Sequence, residues 1–181
     1  MIISGHCYVE PAGKMRKGQS GIDRDENIPA FAEAVRVARK DGSRFLLQLA
    51  HGGIMTTSAL TGCEPRCPSA HADNPAARAM TREEIFSLTD CFAKAARRAL
   101  DAGFDGVELH AAHGFLLSQF LSPYYNTRTD DYGGNAENRS RFICDIIRAI
   151  RASCGVHFTI GCKVNAHDCV DGGQDLQSAL E

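Results

Sequence analysis

The sequence has no apolar run approaching the roughly 18 residues that a membrane-spanning helix needs, and no segment with the pattern of a secretory signal. It has no excess of either charge: 20 Lys and Arg stand against 22 Asp and Glu, a formal net charge of −2. That balance supplies no electrostatic pull toward nucleic acid or an anionic membrane. The expectation is a cytoplasmic protein with a small-molecule partner, no nucleic acid and no membrane. Eight cysteines are present, but Cys7, Cys63, Cys67, Cys91, Cys144, Cys154, Cys162 and Cys169 are scattered through helix and strand patterns without a secretory context, so they read as reduced thiols. Cys63, Cys67 and His71 have a C-x3-C-x3-H spacing, yet they offer only three ligands in a loop and lack a second cysteine pair, so no metal is expected.

What is present is alternation. With 181 residues, 44% of them hydrophobic, the chain can bury a sizeable core. Met1 to Ser4 reads as the tail of a strand. Pro29 to Lys40 reads as a helix with Phe31, Ala34, Val35 and Ala38 on one face, and residues 44 to 50 as a strand. An irregular stretch follows, roughly 51 to 80. Thr81-Arg82-Glu83-Glu84 forms a capping box that opens a helix carrying Ile85, Leu88, Phe92, Ala95 and Ala99 at helical spacing. The next strand ends in Glu108-Leu109-His110-Ala111-Ala112-His113-Gly114-Phe115, and a loop runs from Gly114 to Gly134. Asn135 caps a helix with the stripe Phe142, Ile143, Ile146, Ile150, and the last strand lies near 157 to 164. Strands alternating with helices pair in parallel through right-handed crossovers. The predicted fold class is α/β, a single domain over 1–181: a partial TIM (β/α)8 barrel of about four parallel strands and three helices, since a complete barrel takes about 250 residues.

Side-chain parity points to a site. In residues 45–50 Phe45, Leu47 and Leu49 share a face and Gln48 lies opposite; in the histidine strand Val107 and Leu109 oppose Glu108 and His110; in residues 160–165 Ile160, Cys162 and Val164 oppose Lys163 and Asn165. Each strand sends an apolar set toward covering helices and one polar group inward, Gln48, His110 and Lys163, which this reading places at matching depth. In a barrel the carboxyl ends of the strands are where catalytic groups sit. The bland alternative is a set of interior polar groups bonded to one another. Asp168 and Asp171 read as solvated loop carboxylates.

The run Asn126-Thr127-Arg128-Thr129-Asp130-Asp131-Tyr132-Gly133-Gly134-Asn135-Ala136-Glu137-Asn138-Arg139, preceded by His110-Ala111-Ala112-His113-Gly114-Phe115-Leu116-Leu117 and by Gln48-Leu49-Ala50-His51-Gly52-Gly53, resembles the old yellow enzyme family of flavin oxidoreductases. The resemblance extends from about Ile2 to Gly173 and covers the middle of a family member. It implies a TIM barrel carrying FMN, reduced by NADH or NADPH and passing hydride through flavin N5 to an activated alkene, such as an α,β-unsaturated carbonyl, or a similar acceptor. It assigns Gln48 to the flavin pyrimidine edge, Lys163 to the neighbourhood of flavin N1, and the backbone at Gly5 to flavin O4. His110 and His113 are assigned to the carbonyl oxygen of the acceptor. A cation beside N1 offsets the charge of the reduced ring, and two imidazole donors polarise a carbonyl. Phe115 departs from the family pattern, which has a tyrosine there as proton donor.

The resemblance also implies that the first strand and the last three lie outside this sequence. The isolated chain is therefore expected to self-associate through its open sheet edges. Two other readings stand beside the flavin enzyme: a metal hydrolase built on His110, His113 and Glu108, and an inactive half-barrel that assembles with a partner. Arg128, Asp130, Arg139 and Arg141 are open to two roles, loop-fixing ion pairs or substrate contact.

Overall fold

The computed structural model describes residues 1–39 and 42–180. In chain order its regular elements are β1 (Ile2–Ile3), β2 (Cys7–Tyr8), α1 (Ile28–Ala38), β3 (Phe45–Ala50), α2 (Ser58–Thr61), β4 (Arg66–Cys67), β5 (Arg78–Ala79), α3 (Arg82–Asp101), β6 (Gly106–Ala111), α4 (Leu116–Leu121), α5 (Ala136–Cys154), β7 (Thr159–Val164) and α6 (Leu176–Leu180). Lys40, expected to close the first helix, lies outside the described residues.

The main sheet is parallel throughout, in the order β1-β3-β6-β7, with β2 also pairing β3. β1 pairs with Phe45 and Leu46 while β2 pairs with Leu49 and Ala50, so the two are pieces of one edge strand interrupted at Ser4, Gly5 and His6. Each crossover carries one long helix, which makes the sheet a curled half-barrel of four strand positions and three long helices, as the alternation of the sequence predicts.

Parity decides what each face buries. Leu47, Leu49, Val107 and Leu109 are fully buried with Ile85, Leu88 and Phe92 of α3 and Phe142, Ile146 and Ile150 of α5. Each such side chain removed from water contributes on the order of 1.5 to 3 kcal/mol. Thr81 caps α3 through both bonds of the predicted box, its hydroxyl accepting from the Glu84 N–H at 3.2 Å while the Glu84 carboxylate accepts from the Thr81 N–H at 2.9 Å. Asn135 caps α5, its side chain accepting from the Asn138 N–H.

The two stretches read as loops hold more order than their composition suggests. Residues 51–80 contain α2 and a two-stranded parallel sheet of β4 and β5. The stretch from Gly114 to Gly134 contains α4, whose Leu116, Leu117, Gln119 and Phe120 are wholly buried. With only six residues, α4 is too short to show a helical period. Among the described residues no helix is long and apolar enough to cross a membrane.

Candidate active site

The register sets the polar residues of the concave face in two tiers. Gln48 stands opposite Glu108, and Glu108 opposite Gly161; two residues further on, His110 stands opposite Lys163. Gln48 is therefore one tier below His110 and Lys163, which corrects the expectation of a common depth: Gln48 lies two residues before the end of β3, whereas His110 is next to last in β6. Gln48 Nε2 donates to Glu108 Oε1 at 2.5 Å. That bond commits the amide's N–H end to Glu108 and leaves its carbonyl end as an acceptor. Lys163, on the outermost strand, is exposed.

His110 and His113 come from different kinds of backbone. His110 is the penultimate residue of β6, 3% exposed. Its ring lies stacked on Phe115, centroids 4.1 Å apart and planes at 25°. Its Nδ1 is buried without a hydrogen-bond partner among the described residues. Such an atom costs about 1 to 3 kcal/mol of lost hydration. Burial, and then the positive charge that His113, His6 and Lys163 bring near, push the imidazole down to about 4, so it is neutral at neutral pH.

His113 sits past the strand end with φ +60°, a left-handed conformation that a residue with a Cβ adopts only when held. What holds it is Asn165, just after β7. Asn165 Oδ1 accepts from the His113 N–H at 3.0 Å, and its Nδ2 donates to Asp168 at 3.0 Å. Asp168 in turn accepts from the Gln174 N–H, so it is a structural anchor rather than the solvated carboxylate expected. The ring of His113 meets that of His110 edge to face at 5.1 Å.

Gln119, on the helix absent from the sequence reading, fastens the floor. Its Nε2 donates to the carbonyls of Gly114 (2.6 Å) and Gly52 (3.2 Å), and its Oε1 accepts from Ile54 N–H, joining the histidine turn to the turn after β3. Sequence reasoning also passed over His6. Its ring lies 6.1 Å from His110 and 5.0 Å from Phe115, centroid to centroid. The signal was available: Cys7 pairs with Leu49 on the helix side, so His6 shares the parity of Gln48. A two-residue strand was too short to show it.

The remaining candidates disperse. Cys63 is exposed, Cys67 Sγ donates to the Ser69 carbonyl, and His71 packs on Tyr124 and Tyr125. Glu108 is bound to Gln48, and among the described residues no three His, Cys, Asp or Glu side chains are gathered for one metal ion. Arg128 pairs with Asp130 at 2.6 Å and donates to the carbonyls of Pro68 and Met80, while Arg139 donates to that of Leu121, so these arginines tie the 121–135 segment to its neighbours. A concavity of about 690 Å³ lies among the outer helices at Asp90, Arg97, Ala149 and Ser153. Lys94 and Arg97 there are already paired with Asp90 and Asp101. Among the described residues two buried side-chain atoms lack a partner, His110 Nδ1 and Ser122 Oγ, and the first stands beside the rings of His113 and His6, which makes the histidines the candidate site.

The residues of the concave face also fit a flat, polar-edged cofactor. A Cβ built at Gly5 would meet nothing within 4 Å, so the chain's own packing does not require glycine there, and the open space leaves the backbone approachable. Gln48 offers a fixed acceptor two strands from the exposed cation of Lys163.

The chain as a whole is similar to known proteins. The chain is 37% identical over 175 residues to a probable NADH-dependent flavin oxidoreductase of Bacillus subtilis (strain 168), covering 93% of this chain and 47% of that protein. It is 38% identical to the NADPH dehydrogenase of the same organism, covering 97% of this chain and 52% of that protein. Among solved structures, the old yellow enzyme homologue from Zymomonas mobilis superposes with a TM-score of 0.89 at 31% identity, over 98% of this chain and 54% of that one. Morphinone reductase superposes with a TM-score of 0.88 at 28% identity, over 99% of this chain and 53% of that one. The chain thus spans about half the length of these relatives. Residues 1–179 match the family described as NADH:flavin oxidoreductase / NADH oxidase, and with the half-barrel and its strand-borne polar face they show that the chain belongs to that family.

Proposed function

We propose that the protein containing this chain is an FMN-dependent NAD(P)H oxidoreductase that reduces an activated alkene, an α,β-unsaturated carbonyl or a similar small acceptor. The observation that carries the reading is His110: buried, neutral, with an unpartnered Nδ1, and edge to face with His113. In this reading Gln48, Lys163 and the open backbone at Gly5 would hold the flavin, Gln48 by its amide acceptor and Lys163 by its charge. FMN, when bound, would supply the hydride chemistry, taking two electrons from NADH or NADPH and passing them on.

The chain's own residues bind and polarise. His110 and His113 hold the carbonyl oxygen of the acceptor, drawing electron density from its β-carbon. Neutral though it is, the His110 imidazole keeps one ring N–H with which to donate to that oxygen. Glu108 keeps the Gln48 amide from rotating. Phe115 stacks on His110 and fixes its ring plane, but has no proton to give. The proton for the α-carbon must come from water or another acid.

The test uses the protein expressed in its complete reading frame. It should purify with a flavin absorption spectrum. Replacing His110 and His113 by Ala together should leave flavin reduction by NAD(P)H nearly intact while weakening enone acceptors, each lost donor costing about 1.5 to 3 kcal/mol. Unchanged acceptor kinetics in the double variant would remove the pair from the site. A colourless protein that cannot be reconstituted with FMN would sink the flavin reading as a whole.

A further inference from the structure

Lys14, Arg16 and Lys17 stand close together in the loop after β2, and among the described residues none of them has a carboxylate within ion-pairing distance. Arg24, Arg36, Arg78, Arg98 and Arg128 each face one. Glu10, the acid beside the loop, is already taken by His51 and Arg66. The loop's backbone is fastened to the floor of the candidate site: the Gly52 N–H donates to the Gly13 carbonyl at 2.9 Å, and the Met15 N–H donates to Oε1 of the buried Gln19 at 2.7 Å. Gly13 lies so close to His51 that a Cβ there would run into its ring. The charges therefore sit on a fixed support at the carboxyl end of the strands. His6 and Tyr8 alternate with Cys7, which belongs to the main core, so both share the inward parity of Gln48. Lys14 Nζ stands over the Tyr8 ring, 5.7 Å from its centroid. Burial, and then the positive charge of Arg16, hold the His6 imidazole below its ordinary value, so Arg16 lies near that ring. Arg16 and Lys17 are open to solvent.

We propose that Lys14, Arg16 and Lys17 form a phosphate subsite on the rim of the concave face, and that the group it takes is the 2′-phosphate of NADPH. The inference rests on the function proposed above and deepens it by naming the reductant. Membership of the family leaves the choice between NADH and NADPH open. The ring that gives up hydride must reach the flavin, so the adenosine end of the coenzyme lies farther out, toward the rim. The two coenzymes share their pyrophosphate and differ only in the 2′-phosphate, a monoester with about −1.5 to −2 charges at neutral pH. Uncompensated cations on a fixed loop match that dianion, and Arg16 adds a planar fork that can hold two of its oxygens. Unpaired positive charge at the rim also raises the local concentration of an anionic reductant.

The experiment follows anaerobic flavin reduction by NADPH and by NADH in the flavin-loaded protein expressed in its complete reading frame. The parent should prefer NADPH, and Arg16→Gln should lower the NADPH:NADH ratio of kcat/KM about 10- to 100-fold, the worth of one charge-assisted hydrogen bond. Lys14→Gln and Lys17→Gln should lower it less, and Arg16→Lys, which keeps the charge, should restore part of it. Added salt should erode the preference, because the exposed cations are screened. Independently of turnover, adenosine 2′,5′-bisphosphate should bind the parent more tightly than ADP, and Arg16→Gln should abolish that difference. A parent that uses both coenzymes equally or prefers NADH, or an Arg16→Gln protein that loses NADH and NADPH in the same proportion, would overturn the proposal while leaving the flavin reading in place. A protein that holds flavin which neither coenzyme reduces, or that holds no flavin at all, defeats the functional reading itself.

Discussion

Strands β3 and β7 are each six residues long, and in each an apolar set alternates with inward polar groups, yet they occupy opposite extremes of the fold. All six positions of β3 are buried, while in β7 Thr159, Cys162, Lys163 and Val164 are exposed. The difference lies in neighbours. β3 is paired on both sides, by β1 and β2 on one and β6 on the other, and α3 lies over its outer face. β7 is paired only with β6, and only Ile160 among its apolar residues joins the main core. No long helix follows β7 among the described residues, and Val164 near its carboxyl end stays 53% exposed. Alternation therefore specifies which face is apolar, and the surrounding elements decide whether that face is dry.

The comparison breaks most sharply at matched truncations. Leu47→Ala in β3 should cost about 2 to 5 kcal/mol, because its side chain is fully buried and the helices above it cannot collapse into the gap. Val164→Ala in β7 should cost about 0.5 kcal/mol or less, since Val164 is 53% exposed. Urea unfolding of the two variants measures both. Equal losses would mean that β7 is as well packed as β3.

The same contrast explains what was legible in the sequence. Three long helices, their caps at Thr81 and Asn135, and the inward set Gln48, His110 and Lys163 could be read because each rests on a period or a local hydrogen bond within a few residues. The relative depth of Gln48 could not, because register between strands is a non-local property. The helix α4 and its Gln119 were hidden in a loop reading: a six-residue helix with five residues buried has no polar face, and nothing local announces that Gln119 will bridge Gly52 and Gly114. The latch from Asn165 to His113 spans 52 residues, beyond any periodicity. His6 was lost because its strand is broken around it, although the neighbouring Gly5 was noticed through the family resemblance.

A second prediction places the contrast on the pH axis, at the centre of the sheet. His110 is held at about 4 in the fold, against about 6.5 in an unfolded chain. The unfolded state therefore binds more protons between those values, and the native state loses stability as pH falls. The loss should begin below about pH 6.5, deepen to about 3 kcal/mol, and be complete near pH 4. Asp105 acts lower on the same axis. Although burial raises it, Arg39, the Phe45 N–H and Arg44 hold its carboxyl down to about 2. Its contribution is fully present above about pH 4 and is lost as pH falls through 2. Urea midpoints from pH 7 to 4 should thus drop in the parent protein and drop less in His110→Phe, which removes the titrating ring. Parallel curves for the two would show that another group governs the acid limb.

The smallest effect belongs to the second of the two groups, after Lys163, that this edge of the sheet brings to the site. Asn165, at the end of β7, holds His113 by a single backbone hydrogen bond and is itself steadied by Asp168. A net hydrogen bond of this kind is worth about 0.5 to 1.5 kcal/mol, and the left-handed backbone of His113 has a strain of about 1 kcal/mol to release when the bond is lost. Asn165→Ala should therefore lower global stability by about 1 kcal/mol, within reach of a careful denaturation series, while its local effect is larger. Amide hydrogen exchange at His113 should quicken by tenfold or more, and exchange at His110, whose N–H belongs to the β6 ladder, should follow global unfolding alone. If the His113 amide exchanges equally slowly in parent and variant, the turn is held by Gly114, Ser118 and Gln119 without help from β7, and the edge strand contributes only Lys163 to the site.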